Sequence, residues 1–216
     1  MISARSSSHL PPHAVCRERL IAALGRPGAR LVVVTGPAGS GKTVAVRQWA
    51  ATTPDPVAWL SLDPRHTDPE HFLDAILIAL EELVPGVLEA AFDGDPSDRA
   101  ADRAAVRAVR HLADAPAATV VLDDLHVIDR SRTTELLTRL VEVLDGTNLR
   151  LVICSRSDPT LQLHRFRLAG QLVESGKTGY GAVIVVDVDP EVAIARLVAH
   201  RGFAEPDARA RVANQV

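Results

Sequence analysis

The sequence predicts an α/β fold, a single three-layer domain in which helices cover both faces of a mostly parallel sheet of about five strands. Short apolar runs alternate along the chain with longer helical stretches, which is the pattern of a parallel sheet. The strongest run, 31–34, leads into a glycine-rich loop and then a helical stretch. The composition is 47% hydrophobic but only 3% aromatic, which indicates a core of Ala, Val, Leu and Ile.

The individual elements follow from local patterns. Strands are predicted at 31–34, 57–62, 119–122, 149–154 and 182–186, and helices at 15–24, 43–50, 131–144 and 191–200. Three further helices are predicted: one begins at Pro69, a second ends near Ala113 and a third begins near Pro206. Asp68-Pro69 and Asp189-Pro190 are typical helix starts, because Asp caps free N–H groups and Pro fits the first turn. We divide the chain into a flexible lead-in (1–14), a core (15–174) and a C-terminal segment (175–216).

The loop after the first strand matches the phosphate-binding pattern G-x-x-x-x-G-K-[ST]. Such a loop turns backbone N–H groups toward phosphate oxygens, and the helix behind it directs its positive end to the same point. The lysine would contact the β- and γ-phosphates, and the hydroxyl of Thr43 would hold Mg²⁺. We therefore predict ATP or ADP as ligand, with Mg²⁺. The loop consists of Gly36, Pro37, Ala38, Gly39, Ser40, Gly41, Lys42 and Thr43.

Two carboxylates end the third predicted strand. Asp123 and Asp124 follow the run 119–122, at the edge of the sheet where ligands of α/β proteins bind. We assign Mg²⁺ binding to Asp123, together with Thr43. Asp124 is the candidate to orient or deprotonate an attacking water. A structural role at a helix start is the alternative for both carboxylates.

Arg156 follows the fourth predicted strand and is a candidate sensor of the γ-phosphate. An ordinary surface arginine is the alternative. With Lys42 and Asp124 it completes the candidate catalytic set. His126 lies three residues after Asp123 and could lean toward the site, although a structural role is favoured.

Bulk properties argue against several other functions. The net charge of −3 gives no electrostatic case for binding nucleic acid or a membrane. Cys16, Cys154 and the eight His residues match no zinc or redox spacing, so we predict no zinc site and a reduced, cytoplasmic setting. No apolar run reaches the roughly 18 residues needed to cross a membrane. A stripe of arginines follows one predicted helix, where a solvated face is favoured over a polyanion footprint; it comprises Arg99, Arg103, Arg107 and Arg110.

From about residue 10 to 174 the chain resembles the STAND-type ATPase module of large LuxR-family regulators. The pieces that match are V-x-R-x-x-L at 15–20, the loop GPAGSGKT, VAWLSLD with DPEHFL after it, VVLDDLH, and LVICSRSDPTLQLHRFRLAGQL. The resemblance implies a module that binds ATP, hydrolyses it slowly and uses the bound state as a switch. It also implies that Arg17 lies near the nucleotide base and Arg156 near the γ-phosphate. Self-association on ATP binding is left open.

From about residue 172 to 216 the chain resembles instead the C-terminal part of dephospho-CoA kinase. The matching string is AVIVVDVDPEVAIARLVAHRGFAEPDARARVANQ, and the join falls near 171–174. This resemblance implies a lid with Arg201, Arg209 and Arg211 near the phosphates. The acidic acceptor motif of the kinase is missing, because SLDPRHTDPEHF stands in its place. A natural fragment, a fused reading frame and a recombinant all remain open.

Three functional hypotheses result. The first is a regulatory Mg-ATP-binding module with weak hydrolysis, the second a kinase acting on dephospho-CoA, and the third a nucleotide-binding scaffold without turnover. Strand order distinguishes the first two: regulatory ATPases place a strand between the loop strand and the Asp123 strand, whereas nucleotide kinases place these two side by side. We expect no specific DNA binding by this chain, because the helix-turn-helix of the regulators is absent from it.

Overall fold

The strands form one six-stranded sheet in the computed structural model, which describes residues 2–3, 16–92, 101–157, 159–161, 182–185 and 189–213. Within these residues the spatial order is β1-β3-β4-β5-β2-β6. Strands β2 to β6 are parallel to one another, and β1 pairs antiparallel with β3. The predicted α/β fold is therefore confirmed. The strands are β1 (Ile2–Ser3), β2 (Leu31–Thr35), β3 (Val57–Ser61), β4 (Ala118–Asp123), β5 (Leu149–Ser155) and β6 (Ala182–Val185).

The helices begin and end close to where local sequence signals place them. The Asp68 carboxylate accepts from the N–H groups of Glu70 and His71 at 2.9 and 3.2 Å, and Asp189 accepts from the N–H of Glu191 at 2.9 Å. Both predicted Asp-Pro helix starts are confirmed. The helices are α1 (Glu18–Leu24), α2 (Lys42–Ala50), α3 (Pro69–Leu83), α4 (Val87–Phe92), α5 (Ala101–His111), α6 (Arg132–Val143), α7 (Pro190–Arg201) and α8 (Glu205–Ala213).

Two apolar clusters lie on opposite faces of the sheet. Successive side chains of a strand point to opposite faces, so Val33 joins the cluster under α3 to α6 while Val32 and Val34 join the cluster with α1 and α2. All three valines are 0% exposed. Burying each of them contributes roughly 1.5–3 kcal/mol. This packing explains why β2 reads as a continuous apolar run, and it produces the three predicted layers.

Two elements escaped the sequence analysis. Strand β1 falls in the stretch predicted as lead-in, and its two residues pair with Trp59 and Leu60. Helix α4 follows Pro85-Gly86, where no further helix was expected; the Glu81 carboxylate accepts from the Gly86 N–H at 2.9 Å and the Leu88 N–H at 2.8 Å and so joins α3 to α4. The sequence FDGDPS at 92–97 also predicts a loop; Phe92 instead ends α4, and residues 93–97 lie outside the described residues, as does the join predicted at 171–174.

Strand β5 lies between the loop strand β2 and the Asp123 strand β4. Thr35 of β2 pairs with Ser155 of β5, and Leu122 of β4 pairs with Ile153 of β5. The carboxyl ends of β2, β4 and β5 therefore meet at one edge. This is the order expected for the regulatory ATPases and differs from that expected for nucleotide kinases.

Candidate nucleotide-binding site

The phosphate loop leaves β2 at Thr35 and enters α2 at Lys42. Gly39 and Gly41 adopt φ angles of 77° and 89°, a region in which a side chain is strained, so glycine is needed at both positions. Gly41 is the N-cap of α2. The free N–H groups of the first turn therefore face the loop, as they do where phosphate is bound.

Lys42 lies folded over the loop. Its Nζ donates to the carbonyl oxygens of Gly36 at 2.5 Å and Pro37 at 2.9 Å. Burial lowers the pKa of Lys42, and the charge of Arg156 acts in the same direction, whereas Asp123 opposes it. The ammonium is thus held at the loop in surroundings that favour a nearby anion.

Thr43 connects the loop to the end of β4. Its hydroxyl donates to the two carboxylate oxygens of Asp123, at 3.2 and 3.1 Å. Asp123 is only 6% exposed, and burial raises its pKa, with the neighbouring Asp124 acting in the same direction. Because Mg²⁺ usually takes one or two protein oxygens and completes its shell with water and phosphate, this pair fits a magnesium site.

Two further polar groups around the loop also favour a bound ligand. The hydroxyls of Ser40 and Ser155 are buried without a hydrogen-bond partner among the described residues, as is common where a ligand completes a site. No group of three or more His, Cys, Asp or Glu residues suited to a metal occurs in the described part of the chain. The Thr43–Asp123 pair and these two buried hydroxyls fit a magnesium ion bound together with phosphate.

Asp124 and His126 lie next to each other beside this pair. Asp124 has a φ of 61° and its side chain is 51% exposed, so its carboxylate faces solvent while Asp123 is buried. The Nδ1 atom of His126 lies 3.7 Å from Oδ1 of Asp124. Burial lowers the pKa of His126, and the charge of Arg156 acts in the same direction. Arg156 directly follows the last residue of β5, the strand that lies between β4 and β2. The structure thus brings the predicted catalytic residues, and His126 with them, to the same edge of the sheet.

Arg17 approaches the loop at Gly41. A Cβ atom at Gly41 would lie 3.7 Å from Nη2 of Arg17 and 3.9 Å from Nη1 of Arg196. The sequence analysis missed Arg196, which reaches the loop from α7. Its only sequence signal is its place one helical turn after Ala193, and nothing in the local pattern indicates which element that face contacts.

Two of the three arginines that the kinase resemblance implied as a lid contact neighbouring side chains of the C-terminal helices. Arg209 pairs with Glu191 at 2.8 Å and with Glu205 at 2.9 Å, and the Arg211 guanidinium lies 4.5 Å from the ring centre of Phe203. The side chain of Arg201 lies outside the described residues.

The arginine stripe of α5 is engaged in part with the protein itself. Arg107 donates to the Ala91 carbonyl at 2.7 Å, which ties α5 to α4, and Arg103 and Arg110 are exposed. Arg99 lies outside the described residues. This contact favours the structural interpretation of the stripe over a polyanion footprint.

A phosphate loop ahead of α2, carboxylates at the end of β4 and the intervening strand β5 define a P-loop nucleoside-triphosphatase fold. A comparison with protein families agrees, since the profile described as the AAA ATPase domain matches residues 13–153. The chain belongs to this family. No helix within the described residues is long and apolar enough to cross a membrane.

The curated relatives of the chain include long bacterial regulators. The HTH-type transcriptional regulators MalT of Cronobacter sakazakii and of Klebsiella pneumoniae are each 33% identical over 168 residues, which cover 76% of this chain and 18% of the relative. The chain thus spans about a fifth of their length. These matches bear out the regulator resemblance at the level of the ATPase domain, and they do not support the resemblance of the C-terminal segment to dephospho-CoA kinase.

Solved structures that the chain matches include a DNA replication initiation factor and a Walker-type ATPase of Pyrococcus abyssi. Both are 15% identical and superpose with a TM-score of 0.43. The first match covers 87% of this chain and 50% of the other, and the second covers 91% and 62%.

Proposed function

We propose that this chain is the Mg-ATP-binding module of a STAND-type regulator, with slow hydrolysis at most. The observation that carries the proposal is the contact of Thr43 with Asp123. It joins the phosphate loop to the buried carboxylate at the end of β4, the two places from which P-loop proteins hold magnesium and phosphate together.

Each side chain has a role in this proposal that follows from its surroundings. Bound Mg²⁺ would neutralise the phosphate oxygens, with Thr43 and Asp123 as its protein contacts. Lys42 would bind the outer phosphates as a point charge. Asp124, exposed beside them, would orient an attacking water, and Arg156 would contact the γ-phosphate.

The order of strands supports a regulatory ATPase over a kinase. Strand β5 separates β2 from β4, which was the discriminating expectation for the first hypothesis. The relatives at 33% identity are named as transcriptional regulators, so we propose that ATP binding here serves as a regulatory switch. We propose a cytoplasmic location, and we expect no specific DNA binding by this stretch, since its net charge is −3. Self-association on ATP binding is part of the same proposal.

Calorimetric titration of the full chain with Mg-ATP and Mg-ADP tests the proposal. Lys42→Ala should weaken binding at least about 10-fold, or about 1.4 kcal/mol, because the buried loop loses its only ammonium. Asp123→Asn should abolish the dependence of binding on Mg²⁺. Asp114→Asn, an exposed acid ahead of β4, is the matched control and should bind as the wild type does. Equal affinity of wild type and Lys42→Ala would contradict the assignment.

A further inference from the structure

Helix α7 packs directly against the phosphate loop. Ala38 of the loop is buried together with Ala193, Ile194 and Leu197. At Gly39 the two backbones approach so closely that a Cβ atom would lie 2.8 Å from the carbonyl oxygen of Ala193. Since real Cβ atoms do not come this near an oxygen, the contact fixes the position of α7 along the loop.

This packing brings Arg196 to the loop. Residues three apart share a helix face, so Arg196 lies on the same side of α7 as Ala193. Its Nη1 donates to the carbonyl of Gly39 at 3.4 Å. It also lies 3.9 Å from the Cβ position of Gly41, where Nη2 of Arg17 approaches to 3.7 Å. Two guanidinium groups from opposite ends of the chain thus converge on Gly41, the N-cap of α2.

The two charges lack an acidic partner within the described ranges, where neither Arg17 nor Arg196 forms an ion pair with a carboxylate. Burial lowers the pKa of Arg17, and the charge of Arg196 lowers it further. Like charges held together in partly buried surroundings are unfavourable unless an anion neutralises them. The N-terminus of α2 favours an anion at the same place.

We propose that Arg17 and Arg196 form a clamp that binds the phosphate chain of a nucleoside di- or triphosphate where it passes Gly41. Guanidinium groups suit this task because their forked donors match phosphate oxygens. The inference rests on the proposed function and extends it: helix α7, which lies outside the stretch that matches the ATPase family, becomes part of the nucleotide site. Nucleotide binding then also holds α7 against the loop.

The clamp is tested by titrating the full chain with Mg-ADP and Mg-ATP, with pyrophosphate as a probe that lacks the nucleoside. Arg196→Ala should weaken nucleotide binding about 10-fold, and Arg196→Lys should recover part of the loss because it keeps the charge but not the fork. Arg17→Ala should weaken binding similarly. If both groups act on one ligand, the loss of binding free energy in the double variant should be smaller than the sum of the losses in the two single variants. Arg19→Ala, an exposed arginine on α1, is the matched control and should bind as the wild type does.

The outcomes separate the two proposals. Binding by the wild type that Lys42→Ala disrupts, with Arg196→Ala unaffected or tighter, would overturn the clamp and leave the proposed function intact. No binding of either nucleotide by the wild type would overturn both. Pyrophosphate binding that depends on Arg196, without any effect of Arg196 on ADP affinity, would show a free-anion site and also overturn the clamp. Thermal unfolding of each variant checks folding, and Arg196→Gln replaces Arg196→Ala if the alanine variant unfolds.

Discussion

The two carboxylates at the end of β4 differ sharply in their surroundings. Asp123 is buried, and its carboxylate accepts hydrogen bonds from the Thr43 hydroxyl and, at 3.1 Å, from the backbone N–H of Asp124. Asp124 turns away through a left-handed backbone conformation and stays half exposed. A buried, hydrogen-bonded carboxylate suits a metal contact, and an exposed one suits contact with water.

This difference predicts separate effects of two neutral substitutions. Asp124→Asn should keep Mg-ATP affinity within about twofold of the wild type and lower any ATP turnover by roughly 10²- to 10⁴-fold, the usual contribution of a general base. Phosphate release and calorimetry measure the two effects. Asp129→Asn, an acid after the same strand, serves as control. Loss of Mg²⁺-dependent binding in Asp124→Asn with retention in Asp123→Asn would reverse the two roles.

Residues of the site differ in how far the sequence alone could identify them. Lys42 and Thr43 belong to a contiguous pattern whose spacing is set by the loop itself, so one stretch of sequence suffices. Asp123 was predictable because the end of an apolar strand is a fixed place in a parallel sheet. Arg196 was not, because its role depends on α7 packing on Gly39, 157 residues away along the chain. His126 could be identified only in part, because it is close to Asp123 in sequence but its short distance from Asp124 depends on the turn after β4.

At the scale of elements, local signals predicted most boundaries. Strands such as β2 and β4 are short apolar runs buried on both faces, and the starts of α3 and α7 carry Asp-Pro caps, so each is encoded within a few residues. Strand β1 has only two residues and exists through its pairing with β3. Helix α4 has six residues and is held by contacts with α3 and α5, which no local pattern displays.

The contact of α7 with the loop predicts the effect of a single methyl group. Gly39→Ala places a Cβ 2.8 Å from the Ala193 carbonyl at a φ of 77°. Gly28→Ala is a matched control, because Gly28 has a φ of 78° and nothing within 4 Å of its Cβ position. Both variants incur backbone strain of about 1–2 kcal/mol, and only the first meets α7. In urea unfolding, the free energy of unfolding should therefore fall further in Gly39→Ala than in Gly28→Ala, by about 1 kcal/mol or more. Equal losses would mean that α7 does not rest on the loop in solution.

At the scale of the whole molecule, the order of strands decides which residues meet. Because β5 lies between β2 and β4, Ser155 and Arg156 come to the edge between the phosphate loop and Asp123. The sequence predicts parallel strands from their composition but not their order, because the crossover helices can return the chain to either side of β2. The placement of α7 on the loop is likewise a property of the assembled fold.

The assembled fold also weighs against phosphoryl transfer to dephospho-CoA. In-line transfer needs an acceptor held by an acidic base beside the donor. The nearest candidate after the second strand of the core is Asp63, and it is engaged locally: its carboxylate accepts from the Arg65 N–H at 2.9 Å and pairs with the Arg65 guanidinium at 2.7 Å. The hydrogen bond from the Arg65 side chain lowers the pKa of Asp63 to about 2. A carboxylate of such low pKa is a weak general base near neutral pH.

We therefore expect no formation of CoA when the full chain is incubated with Mg-ATP and dephospho-CoA, and no more than a twofold change in ATP affinity on addition of dephospho-CoA. Mass spectrometry of the products and calorimetry measure the two. Since the proposed function includes ATP binding, the expected result reflects the missing acceptor side rather than a missing donor. Lys42→Ala is the control, since a true transfer must depend on the phosphate loop. Formation of CoA that disappears in Lys42→Ala would make the C-terminal segment, and not the regulator-like core, the better guide to what this protein does.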